Sequence, residues 1–414
     1  MKNRIERKYT WALLFALFGM MAPMIIATKF FGSMSYLAVL YMVGFMIQFA
    51  AMFYDMRLHA VWTTSNALIT LGIYAVILVL PILNNLIKGI AINIYDPLNS
   101  IIKLVNFFLF YLAMQHVALH EKTLYRFMRI VVVFSVIVCL YSFVFEFREI
   151  LSIPSTKNTN VLKISSFFSN RNQYSAFLVI AFIANLYCHQ LRKTKLGWLA
   201  FALQIFGILT SFSRAALLSV LIIVALMFLQ GKLTKRKVIF VMFAAVAGVA
   251  VLMFTNILSY VLANYVRLDN SADSGRFDLW KRAWDVAKDS LLTGVGFYTG
   301  VDIAIERGME LTQFHNMFCD LLVDGGLIEV SFILVLMFTL YRRCSKKCKN
   351  RKLLMVYRAS FFAFAVHACV ESLSLFALSY SDTMYTIFYV SVPILLSNLQ
   401  QNETQQVSEI ALML

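Results

Sequence analysis

Long apolar runs recur along the whole chain and predict a bundle of membrane-spanning helices. We assign about twelve spans, each long enough for an α-helix to cross the hydrocarbon core of a bilayer. They lie at 11–29, 34–53, 64–85, 101–119, 128–147, 173–190, 196–212, 215–230, 238–262, 317–341, 354–377 and 384–400. The pattern therefore predicts an all-α membrane protein in which residues 1–414 form a single polytopic domain.

The composition agrees with a membrane protein. Of the 414 residues, 61% are hydrophobic and only 14% are charged, and the mean hydropathy is +0.76. A soluble domain has no need of so much apolar surface. The formal net charge of +16 does not indicate nucleic-acid binding, because the basic residues form short clusters between apolar runs, where they set membrane topology.

Clusters of lysine and arginine predict which ends of the helices face the cytoplasm. They lie at residues 2–8, 192–195, 232–237 and 342–352. An even number of predicted spans precedes each cluster, so all four fall on one side, which the positive-inside rule assigns to the cytoplasm. We expect both termini on that side, and a long extracytoplasmic loop, residues 263–316, between spans nine and ten.

The long loop is predicted to contain one amphipathic helix. Ser274 can cap it, and Asp278 lies in its first turn, where negative charge suits the helix dipole. The apolar residues that follow helical spacing on one side are Phe277, Trp280, Trp284, Ala287 and Leu291. We expect this helix to lie on the membrane with its tryptophans at headgroup depth, and Gly294 and Gly296 to end it.

Basic residues also occur on the predicted outer face, against the topological bias. Arg214 opens a span directly after Ser213, and Arg276 and Arg171 lie in outer loops. Each has an ordinary interpretation, as a snorkelling or solvated arginine, and the cluster around Arg171 and Asn172 is equally compatible with a helix cap. An anionic ligand is the functional alternative, because a guanidinium fork matches phosphate oxygens.

A histidine and several carboxylates lie at or inside the predicted spans. His315 could act as a general base if it had an orienting partner and an acceptor hydroxyl within reach. Asn316, Asp320 and Asp324 follow it, and the two aspartates share a helical face inside the bilayer, where carboxylates usually have a function. The eleventh span contains three more polar residues, which suit a proton path or, preferably, a structural network between helices: Arg358, His367 and Glu371.

The sequence does not predict a metal site or a bound cofactor. Cys344 and Cys348 have a metal-binding spacing, but they lie in a basic loop with no second pair nearby. The chain has no phosphate-binding loop and no dinucleotide fingerprint. We therefore expect a chemistry that needs neither a nucleotide nor a metal ion.

Four motifs over residues 165–340 resemble the O-antigen ligase and polymerase family. They are Ser211-Phe212-Ser213-Arg214-Ala215-Ala216, Gly275-Arg276 with Trp280, Gly294-Val295-Gly296, and His315-Asn316 with Gly326. The resemblance implies a glycosyltransferase C-like helical fold in a bacterial cytoplasmic membrane. It also implies transfer of an undecaprenyl-diphosphate-linked glycan to a sugar hydroxyl on the outer face.

The resemblance implies roles for particular residues and partners. Arg214 and Arg276 would bind the donor diphosphate, and His315 would orient or deprotonate the acceptor hydroxyl. Supporting candidates are Arg171, Asn172, Ser213, Asn316 and Asp320. The implied partners are the lipid-linked glycan donor, a saccharide acceptor and a chain-length regulator. Glu329 departs from the family pattern, which usually has a small residue or tyrosine three positions after the glycine.

Three functions remain open from the sequence. A polysaccharide polymerase, which extends a lipid-linked chain, is preferred because the outer loops resemble those of capsule or exopolysaccharide polymerases. A ligase would instead transfer the finished glycan to lipid A core or to protein. A polysaccharide transporter or flippase also fits about twelve spans, although transporters often have two related halves and none is visible here.

Overall fold

A computed structural model describes residues 65–116, 119–153, 164–168, 170–230, 276–308, 314–377 and 384–400. The predicted spans at 11–29, 34–53 and 238–262 lie outside the described residues. So does the first part of the long loop, residues 263–275, which includes the predicted cap Ser274.

The described residues are almost entirely helical. The helices are α1 (Ser65–Lys88), α2 (Tyr95–Phe107), α3 (Glu121–Phe145), α4 (Phe147–Ser152), α5 (Arg171–Leu191), α6 (Lys195–Thr210), α7 (Arg214–Gln230), α8 (Arg276–Ala287), α9 (Phe297–Glu306), α10 (Met317–Lys347), α11 (Arg351–Ala368) and α12 (Val392–Ser397). Two short strands, β1 (Leu119–His120) and β2 (Leu399–Gln400), pair in parallel.

Four helices in the described ranges are long and apolar enough to cross a membrane. They are Leu68–Lys88, Glu121–Phe145, Arg171–Leu191 and Met317–Lys347. Three other apolar helical segments are shorter: Lys195–Thr210, Arg214–Gln230 and Met384–Ser397. The last one includes the π-helical turn Ile387–Ser391, which precedes α12. The structure thus supports a helical membrane protein, whereas the predicted count of about twelve spans is not confirmed.

Two predicted spans differ from the helices found at those positions. The span predicted at 101–119 is not a single α-helix. Helix α2 ends at Phe107, and the chain continues as the π-helical turn Phe108–Leu112 and the 3-10 turn Ala113–His116. The span predicted at 354–377 is shorter in the structure, because α11 ends at Ala368. Hydropathy reports how apolar a segment is, so it cannot locate the residue at which an apolar backbone leaves the α-helical path.

Small residues let the helices of the bundle approach closely. Helix α7 packs along α11, and α5 packs against both α3 and α6. Ala216 on α7 and Ala359 and Ala363 on α11 are fully buried. Small side chains of this kind are typical of helix interfaces in membranes, where close packing replaces the hydrophobic effect as the source of association.

Contacts between helix ends fall into two groups. In one, Asn350 donates to Glu121 at 2.7 Å, next to the pairing of β1 with β2. In the other, Asn93 donates to Asp302 at 2.7 Å. The predicted alternation of spans assigns the first group to the cytoplasmic face of the membrane and the second to the outer face.

Candidate active site

Helix α8 forms the first part of the candidate site. Its described residues begin at Arg276, with Asp278 in the first turn, and they confirm a helix in this part of the loop. Phe277 and Trp284 are 65% and 51% exposed, so they do not pack inside the protein, and their contact with the membrane stays a prediction. The buried face is instead made of small residues, among them Ala283 and Ala287, which let α8 pack against α10.

The sequence suggested that Gly294 and Gly296 end α8, but this prediction is wrong. Helix α8 ends at Ala287, and a 3-10 turn, Lys288–Ser290, follows it. Gly294 and Gly296 have φ angles of 69° and 90°, and Gly296 directly precedes α9. Helix α9 was not predicted, because glycines close to a polar stretch indicate the end of a helix more readily than the start of a new one.

The turn between α8 and α9 inserts its backbone into a break in α10. Gly326 interrupts α10 with φ 65° and ψ −164°. Val295 donates its N–H to the carbonyl of Val323 at 2.8 Å, and Leu327 donates to the carbonyl of Leu291 at 2.9 Å. These bonds supply partners that the interrupted helix cannot provide for itself. We call residues 291–296 the bridging turn.

Glycine is required on both sides of this contact. A Cβ atom at Gly294 would lie 2.4 Å from the carbonyl oxygen of Asp324, and one at Gly326 would lie 2.4 Å from the backbone of Leu292. Both glycines also have a positive φ, which side chains rarely adopt. The Gly294-Val295-Gly296 motif therefore acts at least partly through packing, since it seats the bridging turn on α10.

Substitution Gly326→Ala is expected to destabilise the protein through this contact. Gly326 has a φ and ψ that essentially only glycine adopts, so alanine there costs about 1–3 kcal/mol, and displacement of the Leu292 backbone adds to that cost. Gly308→Ala is the matched control, because Gly308 has φ 79° with open space around it. Thermal unfolding of the detergent-purified variants should give a larger loss of Tm for Gly326→Ala, and equal losses would contradict the packing role.

An ion pair fixes the far end of α9 against α8. Arg307 donates to Asp289 at 2.8 Å and to the carbonyl of Asp285. The hydrogen bond and charge of Arg307 lower the pKa of the exposed Asp289 carboxyl. Pairs at this exposure contribute little to stability, so we assign this one an orienting role only.

Asp96 connects the start of α2 to the start of α9. Its carboxylate accepts the N–H of Tyr298 at 2.6 Å and the hydroxyl of Thr299. Negative charge at a helix start is favourable because it meets unpaired N–H groups. Burial raises the pKa of the Asp96 carboxyl, and the bonds from Thr299 and Tyr298 oppose that rise. Asp96 was not identified from the sequence.

Glu371 joins the two principal residues of the candidate site. One carboxylate oxygen pairs with Arg276 Nη2 at 2.8 Å, and the other lies 3.2 Å from His315 Nδ1. Arg276 also donates to the carbonyl of Val370. The Glu371 side chain is only 10% exposed, whereas Arg276 and His315 keep 23% and 28%, so a substrate could reach both. The structure thus brings Arg276 and His315 together.

His315 is held in an unusual backbone conformation. Its φ is 51°, and the preceding residue, Phe314, donates its N–H to Asp320 at 3.3 Å. Asn316 caps α10 by accepting the N–H of Phe318 at 2.9 Å. Asp320 and Asn316 therefore hold the turn that presents the histidine. A positive φ at a residue other than glycine often marks a functional site.

Arg214 is the first residue of α7, which is tied to the segment that carries Glu371. Ser219 on α7 lies 3.1 Å from His367 Nδ1 on α11. Glu371 in turn donates its N–H to the carbonyl of His367 at 2.9 Å. These contacts place the start of α7 at the same end of the bundle as Glu371. The role of Arg214 in ligand binding stays a prediction.

The other supporting candidates lie at helix starts. Asn170 caps α5 by accepting the N–H of Gln173 at 2.9 Å, which confirms the helix-cap interpretation for this polar cluster. Arg171 and Asn172 are the first two residues of α5. Ser213 is buried immediately before α7. Their participation in the site stays a prediction.

The three polar residues of the eleventh predicted span serve different parts of the structure. Arg358, in the middle of α11, donates to Ser345 near the end of α10 at 3.4 Å. His367 contacts α7 near the opposite end, and Glu371 lies beyond the last residue of α11. Glu371 therefore belongs to the candidate site, and the His367 contact fits the structural network that we preferred from the sequence.

The described ranges contain no group of three or more histidine, cysteine, aspartate or glutamate side chains that could hold a metal ion. Cys344 and Cys348 lie at the end of α10 and just after it. Both are buried as free cysteines.

Comparisons with known proteins identify one family and one relative. Residues 199–334 match the family model described as O-Antigen ligase. Over 216 residues the chain is 27% identical to the ComP-specific O-oligosaccharyltransferase of Acinetobacter baylyi. That alignment covers 48% of this chain and 39% of the relative. The family match contains Arg214, Arg276 and His315.

Proposed function

Because the match over residues 199–334 confirms the resemblance to the O-antigen ligase family, we propose that this chain is a membrane glycosyltransferase that uses a lipid-linked glycan. The coarser role, a glycan transferase or ligase, has the support of both comparisons. The observation that carries the proposal is the bridge from Glu371 to His315 and Arg276. It brings together a histidine, which can serve as a base, and an arginine, which can bind phosphate.

His315 is proposed to act on the acceptor. With the proton on Nδ1, its ring donates to Glu371 and Nε2 is the basic nitrogen. As the acceptor oxygen bonds to the anomeric carbon, Nε2 takes the hydroxyl proton, and the carboxylate of Glu371 stabilises the imidazolium that forms. Glu371 acts through His315 and Arg276, so we regard it as a positioning residue.

Arg276 is proposed to act on the donor. When the bond between the anomeric carbon and the phosphate oxygen breaks, the lipid diphosphate leaves with the electron pair and gains negative charge. A guanidinium has five N–H donors, so Arg276 can keep Glu371 and Val370 and still bind phosphate oxygens. Arg214 is proposed as the second diphosphate contact. Because both guanidinium groups are in position before the bond breaks, they stabilise the leaving diphosphate without a costly rearrangement of the site.

The preferred reaction is polymerisation. In this proposal the donor is an undecaprenyl-diphosphate-linked glycan and the acceptor is a hydroxyl of a second lipid-linked glycan, at the outer face of a bacterial cytoplasmic membrane. A chain-length regulator is the proposed protein partner. The ligase alternative is favoured by one observation, the similarity to an O-oligosaccharyltransferase, and its acceptor would be protein or lipid A core.

Glycan analysis of a deletion strain separates these reactions. Loss of a polymerase should leave single lipid-linked repeat units without long polymer. Long lipid-linked polymer that fails to reach its final acceptor would instead establish the ligase. Repeat units trapped on the cytoplasmic leaflet would indicate a transporter, and an unchanged glycan profile would contradict all three functions.

Activity is expected to survive removal of divalent cations. In the proposed mechanism Arg276 and Arg214 neutralise the leaving diphosphate, which is a role that a metal ion has in many other phosphate sites. The measurement compares transfer by the purified protein with and without EDTA. A loss of activity that Mg²⁺ or Mn²⁺ restores would contradict the proposed role of the arginines.

A further inference from the structure

A second charged cluster lies inside the bundle, apart from the residues proposed for transfer. Lys103 of α2 approaches two carboxylates of α10, Glu329 at 3.4 Å and Asp324 at 3.5 Å. These three side chains are only 2–8% exposed. Charged groups buried to this degree are costly and normally have compensating partners.

The cluster spans the break in α10. Asp324 precedes Gly326 in the chain, and Glu329 follows it. The Glu329 side chain folds back over the break, since a Cβ atom at Gly325 would lie 2.2 Å from its carboxylate. Lys103 therefore connects the two halves of α10 where the bridging turn inserts.

The charges in this cluster do not balance. Two carboxylates face a single ammonium group, which leaves one formal negative charge in excess. The carboxylates of Asp96 and Asp320 add further negative charge around Asp324. The aromatic ring of Phe297 covers Lys103, with 5.3 Å from Nζ to the ring centroid. An uncompensated charge in such surroundings is strongly unfavourable.

Two buried polar atoms at the cluster have no hydrogen-bond partner among the described residues. They are the hydroxyl of Tyr74 and Oδ2 of Asp324, which lies 3.5 Å from the Lys103 ammonium group without accepting a hydrogen bond. Tyr74 is fully buried, and its ring lies against Phe107 and Phe332 at centroid distances of 4.7 and 4.9 Å. The charges of Lys103 and both α10 carboxylates act on its hydroxyl. Buried atoms of this kind usually indicate a missing partner.

We propose that the cluster binds one proton, which Asp324 carries while Lys103 and Glu329 remain charged. This proton removes the excess formal negative charge of the cluster. Asp324 is the proposed carrier because Glu329 accepts a hydrogen bond from the Lys103 ammonium group, whereas Oδ2 of Asp324 accepts none. A proton fits better than a metal cation, because the Lys103 ammonium group already lies between the carboxylates and would repel a second cation.

Infrared spectroscopy of the purified protein tests this proton directly. At neutral pH the wild type should show the C=O band of a buried carboxylic acid. Asp324→Asn should remove that band because the carrier is gone. Glu329→Gln should also remove it, because Lys103 and an ionised Asp324 then balance. Lys103→Met should double it, because two carboxylates without a cation both need protons.

Lys103→Arg is the matched control, because it keeps the charge and should keep the band. The wild-type spectrum can overturn the proposal even if a variant fails to fold. A wild type without the band at neutral pH would overturn the proposal. If its thermal stability then rose with Na⁺ but not with choline, the occupant would be a metal cation. A band that survives in Asp324→Asn would also overturn the assignment to this cluster.

Discussion

Substitution His315→Ala is expected to reduce glycan transfer by at least about 100-fold, since a positioned general base commonly contributes between 10² and 10⁴. Alanine removes the atom that accepts the hydroxyl proton and leaves Glu371 with only its Arg276 contact. The measurement is product formation by purified protein in lipid vesicles with a lipid-linked glycan donor.

The control for this substitution is His189→Ala. His189 lies in the last turn of α5, at the end of the bundle opposite the candidate site. Transfer by His189→Ala should stay close to that of the wild type, and both variants should insert into the membrane normally. Near-normal transfer by His315→Ala would remove the histidine from the mechanism.

Substitution Arg276→Lys is expected to cost about 10- to 100-fold in transfer, although it conserves charge. An arginine can bind Glu371, the carbonyl of Val370 and a phosphate oxygen at the same time. Lysine is a point charge with three donors and cannot reproduce this planar arrangement. The loss should be in the transfer rate, measured with saturating donor in the same vesicle assay.

Arg307 offers a matched control on the same loop. It pairs with Asp289 and the carbonyl of Asp285, just as Arg276 pairs with Glu371 and the carbonyl of Val370. Arg307→Lys therefore makes the same chemical change at an exposed pair and should leave transfer nearly unchanged. Equal losses in the two variants would show that the loop is merely sensitive to substitution.

The residues of the candidate site were predictable to different degrees. Arg276 and His315 stood out because polar groups are rare in this chain and matched the motifs of a family. Glu371 lies 56 positions from His315 and appeared to be one polar residue inside a span. Its role depends on where α11 ends, at Ala368, and apolar patterning does not locate that end.

The fold was predictable where hydropathy decides it. The long apolar helices such as α3 and α5 lie close to the predicted spans. The break in α10 at Gly326 was not predictable, because its hydrogen bonds come from the bridging turn, a distant segment. Helix α9 was missed for the same reason, since the glycines before it serve a contact with α10 that local sequence does not encode.

Glu371, His315 and Arg276 are proposed to form one site for glycosyl transfer from a lipid diphosphate. The most direct measurement is release of the polyprenyl diphosphate by the purified protein, with an undecaprenyl-diphosphate-linked glycan as donor and with or without acceptor. The wild type should show acceptor-dependent release, and Glu371→Gln should strongly reduce it. Release that is absent in the wild type, or unchanged in Glu371→Gln, would contradict this proposal.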